Sequence, residues 1–294
     1  MALPMPDSEF LKLVSEPLRL LTQLEQYNTV RSDLEREMAL QRYWSDELAK
    51  PRNGHPKRLL RYGYKVYSQC DEDGIIEEIF KRVQAKSRRF VEFGVESGFE
   101  CNTVKLLVEG WHGLWLDGSA AHVASINQTF KAFIDGGRLK IREAFITAEN
   151  INELIRDGGV SGEIDLLSID LDYNDYWVWK AIDVINPRVV VIEYNATLRP
   201  PLSLVVPYES TRTWDGTNYF GASLEALVRL GRTKGYRLVG CSISGANAFF
   251  VRDDVAADLF LDPPTAEEHY EPPRYFLAIL KAGHRARPGV FVDV

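Results

Sequence analysis

Cysteine is scarce and odd in number in this 294-residue chain: Cys70, Cys101 and Cys241 stand far apart. Three separated thiols supply neither a disulfide framework nor the closely spaced ligand pairs of a structural zinc site, and they fit a reducing compartment. Long apolar runs are lacking too. None reaches the ~20 residues that cross a bilayer, and the opening MALPMPDS has no basic start ahead of an apolar stretch. The expectation is a cytoplasmic protein with no membrane partner. A surplus of cations is also missing: 35 Lys and Arg face 42 Asp and Glu, for a formal net charge of −7. Phosphate binding needs a positive face, so this balance argues against nucleic acid as the main partner. Local basic clusters at residues 51–65 and 81–89 are read as a linker and as a helix end whose cations meet the C-terminal dipole.

What is present is ample material for a core. With 45% hydrophobic positions, a chain of this length can bury roughly three quarters of its unfolded surface without metal or disulfide. Residues 8–49 carry apolar positions at helical spacing (Phe10, Leu11, Val14, Leu18, Leu20, Leu21, Leu24) with charges between them. They predict two amphipathic helices. The stretch PRNGHP at 51–56 breaks that pattern. The expected domains are a helical extension over 1–60, an α/β domain over 61–255 and a tail over 256–294. The extension could cover the active site, join two copies as a homodimer, or extend the core, and the sequence leaves all three open.

From Ser68 the rhythm becomes short apolar strands alternating with amphipathic helices, the pattern of a mostly parallel sheet covered on both faces. Strands are expected at 90–93, 113–117, 139–142, 164–170 and 189–194, with helices at 75–83, 103–109, 151–156 and 176–185. Ser223 can cap a helix running to Lys234, with Gly235 as its stop. Segments 237–242 and 247–252 then form a terminal hairpin.

In an open parallel sheet, ligands bind beyond the carboxyl ends of the strands. The first strand-to-helix turn is Glu92-Phe-Gly94-Val-Glu96-Ser-Gly98. Gly94 allows a tight turn, and Gly98 allows backbone to approach a ligand. The dinucleotide glycine triplet is absent. Glu92 and Glu96 would repel a pyrophosphate and attract the ammonium of an amino acid, so the loop favours S-adenosylmethionine over a dinucleotide. The second strand ends at Asp117-Gly118-Ser119, which sets a carboxylate where two ribose hydroxyls can donate to it. Ser168, Asp170, Asp172, Asn174 and Asp175 follow the fourth strand, and Glu193-Tyr194-Asn195 ends the fifth. Carboxylates crowded in this way repel one another unless a cation or a proton relieves them, and hard oxygen ligands suit Mg2+ or another divalent ion. Asp172 is the leading base candidate. Tyr173, Tyr176, Trp177, Trp179, Tyr194 and the loop after Trp214 supply aromatic surface for an acceptor, and residues 194–207 and 268–275 are candidate rims.

Residues 90–103 (FVEFGVESGFECNT) and 110–119 (GWHGLWLDGS) resemble the first two motifs of class I S-adenosylmethionine-dependent methyltransferases, and most closely the FkbM-like group. Ser68-Gln69 with Glu72-Asp73 resembles the S-Q-x-x-E-D entry segment of that group. The resemblance spans about residues 66–252. It implies a Rossmann-like class I fold, a seven-stranded sheet with a C-terminal antiparallel hairpin. It also implies a cofactor site drawing on Gln69, Glu92, Gly94, Glu96, Gly98, Asn102, Thr103, Asp117, Gly118 and Ser119. By the same likeness, Ala144-Phe145 would meet the adenine and Asp170 the methionine portion. Asp170-Leu-Asp172-Tyr-Asn-Asp-Tyr176 is similar to the D-x-D-x-x-x-Y stretch of cation-dependent caffeoyl-CoA-type O-methyltransferases. That likeness implies Asp170, Glu193 and Asn195 as metal ligands, with Asp170, Asp172 and Asn195 at the reaction centre. Two departures stand out: Glu-Tyr-Asn replaces an adjacent Asp-Asn pair, and Tyr173 replaces the family's lysine base. The expected activity is O-methylation of a small hydroxylated molecule, a sugar derivative or natural product. N-methylation, a nucleotide-dependent dehydrogenase and a non-catalytic binding module are the alternatives.

Overall fold

The computed structural model describes residues 8–278 and 283–294. Residues 1–7, on which part of the leader reading rests, and the side chains of Phe10, Leu11 and Val14 lie outside the described residues. The chain divides into two units, 1–53 and 54–294. In the first, residues Ser8–Leu48 form one continuous helix, α1, where two were expected. Nothing between positions 18 and 48 breaks it, because that stretch contains neither glycine nor proline. Among the described residues, no helix is long and apolar enough to cross a membrane.

In the second unit, strands β1 (Arg89–Phe93), β2 (His112–Asp117), β3 (Leu139–Glu143), β4 (Gly162–Ile169) and β5 (Ile185–Glu193) pair in parallel. The hairpin of β6 (Tyr236–Cys241) and β7 (Asn247–Arg252) adds through β7, antiparallel to β5. The seven strands therefore run in the order β3-β2-β1-β4-β5-β7-β6. The strand pattern predicts the mostly parallel sheet and its terminal hairpin, and the whole is the Rossmann-like arrangement that the resemblance implies.

Helices α2 (Glu72–Val83), α3 (Val104–Val108), α4 (Ala120–Thr129), α5 (Lys131–Asp135), α6 (Ile151–Asp157), α7 (Asp175–Ala181) and α8 (Leu224–Thr233) fill the connections. Alternate strand residues feed two buried layers. Val91, Leu116 and Leu167 join Ile155, Trp179 and Leu227 on one face. Phe90, Trp115 and Leu166 join Ile76, Leu107 and Ile126 on the other. Period-two alternation on a covered sheet demands this division. Each large apolar side chain so buried contributes ~1.5–3 kcal/mol.

The Ser223 cap is present, its hydroxyl accepting from the Ala226 N–H, and Gly235 (φ +80°) ends the helix in the left-handed region. Helix α7 stops four residues short of its expected end, since Ile182 turns extended and the chain enters β5 at Ile185. The tail is stitched to the domain where Val292–Asp293 pairs with Leu204–Val205.

Candidate active site

Gly94 shapes the first elbow. At φ +67° a side chain would be strained, and a Cβ there would lie 1.7 Å from the carbonyl oxygen of Asp170. The elbow after β1 thus lies directly against the end of β4. Gly98 (φ +81°) serves a different end from the one expected. A Cβ on it would stand 2.7 Å from Phe130, so it makes room for aromatic packing instead of a ligand, and it is not part of the cavity wall.

Glu92, buried on β1, accepts from the backbone N–H groups of Asn102 (2.9 Å) and Thr103 (3.2 Å) and from the Thr103 hydroxyl. Burial raises its pKa. The Thr103 hydroxyl also accepts from Trp115 Nε1 at 2.8 Å, which makes it a buried joint outside the wall. Asn102 reaches the wall and donates to Ser168 at 3.0 Å. Asp73, the last residue of the S-Q-x-x-E-D segment, lies inside α2. One of its oxygens accepts from the N–H groups of Val66, Tyr67 and Ser68. That clamp fixes the S-Q-x-x-E-D segment and leaves Gln69 on the cavity wall.

Asp117 ends β2, and its two oxygens accept from Glu96 N–H and Ser119 N–H, each at 2.8 Å. The carboxylate therefore ties the elbow to the turn that starts α4, and it still faces the cavity together with Gly118, Ser119 and His122. His122 Nδ1 stands 3.3 Å from it. The half-exposed ring of Phe145 flanks this end.

At the neighbouring strand ends, carboxylate oxygens of Asp170, Asp172 and Glu193 gather within 4.8 Å of one another. Asp175 lies behind them. One of its oxygens accepts from Leu171 N–H at 2.7 Å, and the other is buried without a hydrogen-bond partner, as is one oxygen of Glu193. Burial, then repulsion from Asp172, lifts Asp170 well above the carboxylate range. Burial, then the nearby Glu96, lifts Asp172 to about 6. Burial, opposed by the Leu171 N–H, and the charge of Asp172 lift Asp175 to about 7. Glu193 moves in the same direction by burial and the charge of Asp170. Asp172 also holds a positive φ of 60°, a strained backbone for a residue with a side chain.

Asn195 does not join them. Its amide donates to the carbonyls of Asn218 and Phe220 at 2.9 Å each, and its oxygen accepts from Thr197. With donors and acceptor both occupied in a loop clamp, it is unavailable as a ligand, and Asp172 takes the third place in the acidic set. Tyr176 and Trp179 are core residues. The hydroxyl of Tyr194 is buried against the Glu271 carbonyl at 2.7 Å. None of these aromatics, nor any residue of 194–207, lines the cavity. Trp214 and Tyr275 do.

The cavity holds about 650 Å³, within the range of small-molecule sites. Among the described residues, its wall carries Glu92, Glu96, Glu100, Asp117, Asp170, Asp172 and Glu193 against one guanidinium, that of Arg212. Sequence reasoning missed Arg212 and His284. The His284 ring stacks on Tyr275 at 4.6 Å and stands 4.9 Å from Trp214. It lies some ninety residues beyond β5, outside any motif.

No family model matches the sequence, and no curated protein does. Among solved structures, the chain is similar to an S-adenosylmethionine-dependent methyltransferase from Clostridium acetobutylicum ATCC 824, with 14% identity over 60% of this chain and 89% of that one, TM-score 0.38. It is similar to the O-methyltransferase from Bacillus cereus in complex with SAH, with 15% identity over 55% and 67%, TM-score 0.32. A third likeness is to an O-methyltransferase family protein from Burkholderia thailandensis, with 13% identity over 60% and 55%, TM-score 0.38. Identities and TM-scores this low carry no assignment, so function rests on the pocket itself.

Proposed function

We propose that the chain is an S-adenosylmethionine-dependent methyltransferase that methylates an oxygen of a small hydroxylated molecule, a sugar derivative or natural product. The observation that carries this reading is the charge of the cavity. Even where burial keeps a proton on Asp170 and Glu193, Glu96, Glu100, Asp117 and Asp172 outnumber the one guanidinium among the described wall residues, and this excess repels a pyrophosphate and attracts a sulfonium amino acid. The cofactor would lie between the elbow at Gly94–Glu96, Asp117 for the ribose and Phe145 for the adenine, with its methyl directed at Asp170 and Asp172. The acceptor would rest against Trp214, Tyr275 and His284, where flat rings suit a sugar or an aromatic ring.

In the transfer, an acceptor lone pair forms a bond to the methyl carbon while the carbon–sulfur bond breaks and its electrons stay on sulfur. The acceptor proton passes to Asp172, whose raised pKa suits a base near neutrality. Holding the acceptor in line supplies on the order of 7–11 kcal/mol. Asp170, Asp172 and Glu193 also fit a hard divalent cation such as Mg2+, because they offer three oxygen donors whose mutual repulsion a cation would relieve. Bound there, it would lower the pKa of the acceptor hydroxyl.

The test is thermal unfolding with S-adenosylmethionine, S-adenosylhomocysteine, NAD and Mg2+ added separately. A ligand at ~100 times its dissociation constant stabilises the fold by about 2.7 kcal/mol. Stabilisation by both adenosyl ligands is expected. Stabilisation by NAD alone would replace this reading with a dehydrogenase, and no response to any of them would leave a non-catalytic module. Asp172→Asn should lower turnover at least ~100-fold with little change in cofactor affinity, and undiminished turnover removes Asp172 as the base.

A further inference from the structure

Helix α1 exposes leucines along its length. Leu20, Leu24, Tyr27, Leu34 and Met38 are 56–64% exposed, which for helical side chains means bare to solvent. Their spacing alternates between three and four residues, with Arg31 filling the remaining place in the series. That is a heptad seam, with Leu24, Arg31 and Met38 at a and Leu20, Tyr27 and Leu34 at d. The outward b, c and f positions between 22 and 36 are all polar: Thr22, Glu25, Gln26, Thr29, Ser32, Asp33 and Arg36. A single helix with such a stripe lacks the packing that holds most helices together in water. A narrow a/d stripe on a polar helix is instead built to meet another helix.

The charge pattern identifies the partner and its direction. In a parallel, in-register pair Arg31 would face the partner's Arg31 in the seam, like charge against like charge. In an antiparallel pair centred between Tyr27 and Arg31, each a residue meets a d residue. Leu24 then faces the partner's Leu34, Leu20 faces the partner's Met38, and Arg31 lies on the ring of the partner's Tyr27, where a guanidinium is attracted. The flanking pairs in that register are Asn28 with the partner's Asn28, Val30 with the partner's Val30, Leu21 with the partner's Glu35 and Gln23 with the partner's Glu37, none of them like-charged. Arg31 keeps its own ion pair with Glu35 at 3.7 Å.

We infer that α1 is a self-association element that pairs two copies of this chain as an antiparallel two-helix coiled coil centred on residues 27–31. The partner is a second copy because one helix face complements itself, oily layer for oily layer and cation for ring.

Sedimentation equilibrium of the full chain tests it. A dimer is expected, and Leu24→Asp should raise its dissociation constant at least ~100-fold, since it sets a carboxylate against the partner's Leu34 in two symmetric layers. Because Asp could also weaken the helix, cysteine pairing tests the register independently. Cys70, Cys101 and Cys241 are buried, so engineered thiols report alone. Leu24→Cys mixed with Leu34→Cys should form an interchain disulfide on mild oxidation, and neither variant should do so by itself. Cross-linking of each variant with itself would overturn the antiparallel pairing. A monomeric chain, or capture only by a different protein, would overturn self-association.

Discussion

The two ends of β4 carry aspartates of opposite character. Asp165, near the amino end and fully buried, accepts from the N–H groups of Lys86, Ser87 and Arg88 and from the Ser87 hydroxyl. The guanidinium of Arg188 stands 3.4 Å away. Asp170, just past the carboxyl end, faces Asp172, Asp175 and Glu193 with no such retinue. The same residue type on one strand, five positions apart, is a structural anchor in one setting and an electrostatic strain in the other. Like charge crowded in this way is relieved by a proton or by a bound cation, and groups perturbed so cluster at functional sites; here the crowding lies at the carboxyl side of the sheet, where open α/β folds bind ligands.

The comparison breaks most visibly at the anchored end. Asp165→Ala would leave three backbone donors and a buried guanidinium uncompensated, costing on the order of 3–5 kcal/mol. Chemical denaturation measures this, and a loss under ~1 kcal/mol would erase the contrast. The strained end should respond to pH instead. The folded pKa values of Asp172 and Asp175, about 6 and about 7, stand above the ordinary carboxylate value of about 3.9. Between these limits the folded state therefore holds more protons than the unfolded one. Stability is full below about pH 4 in this respect and falls as pH rises through 6 and 7, by on the order of 2–4 kcal/mol for either group taken alone. Melting curves of the ligand-free protein should show the decline, and Asp175→Asn should flatten it. Asp117, satisfied by backbone yet facing the cavity, lies between the two cases. Asp117→Ala should weaken S-adenosylmethionine binding at least ~10-fold by calorimetry, through loss of charged hydrogen bonds. The smallest effect belongs to Phe145→Ala, which removes a stacking face and should cost about two- to tenfold in the same measurement.

The sheet was legible because its central strands are buried apolar runs that stop at polar residues, while the edge strand β3 alternates, and because Ser223 and Gly235 mark the last helix with their own conformational demands. The acidic cluster was legible as well, since consecutive strand ends must converge at one edge of a parallel sheet. What escaped was set by contacts distant in sequence. Asn195 sits at a strand end as a ligand would, but Asn218 and Phe220 claim its amide from more than twenty residues away. Gly98 looked like a ligand-facing glycine because nothing in the linear pattern announces Phe130 beside it. His284 reaches the cavity by way of the tail, for which no periodicity exists. Two helices were expected in place of α1, yet positions 18–48 hold neither glycine nor proline to divide it.

The absent side chain at Gly94 has a mechanical meaning. Because the elbow after β1 presses on the Asp170 carbonyl without even a methyl group between them, the loop that would cradle a methyl donor and the loop that carries the acids abut backbone against backbone. The spacing of the two backbones is a dimension of the scaffold, as the gap between the jaws of a fixed wrench is.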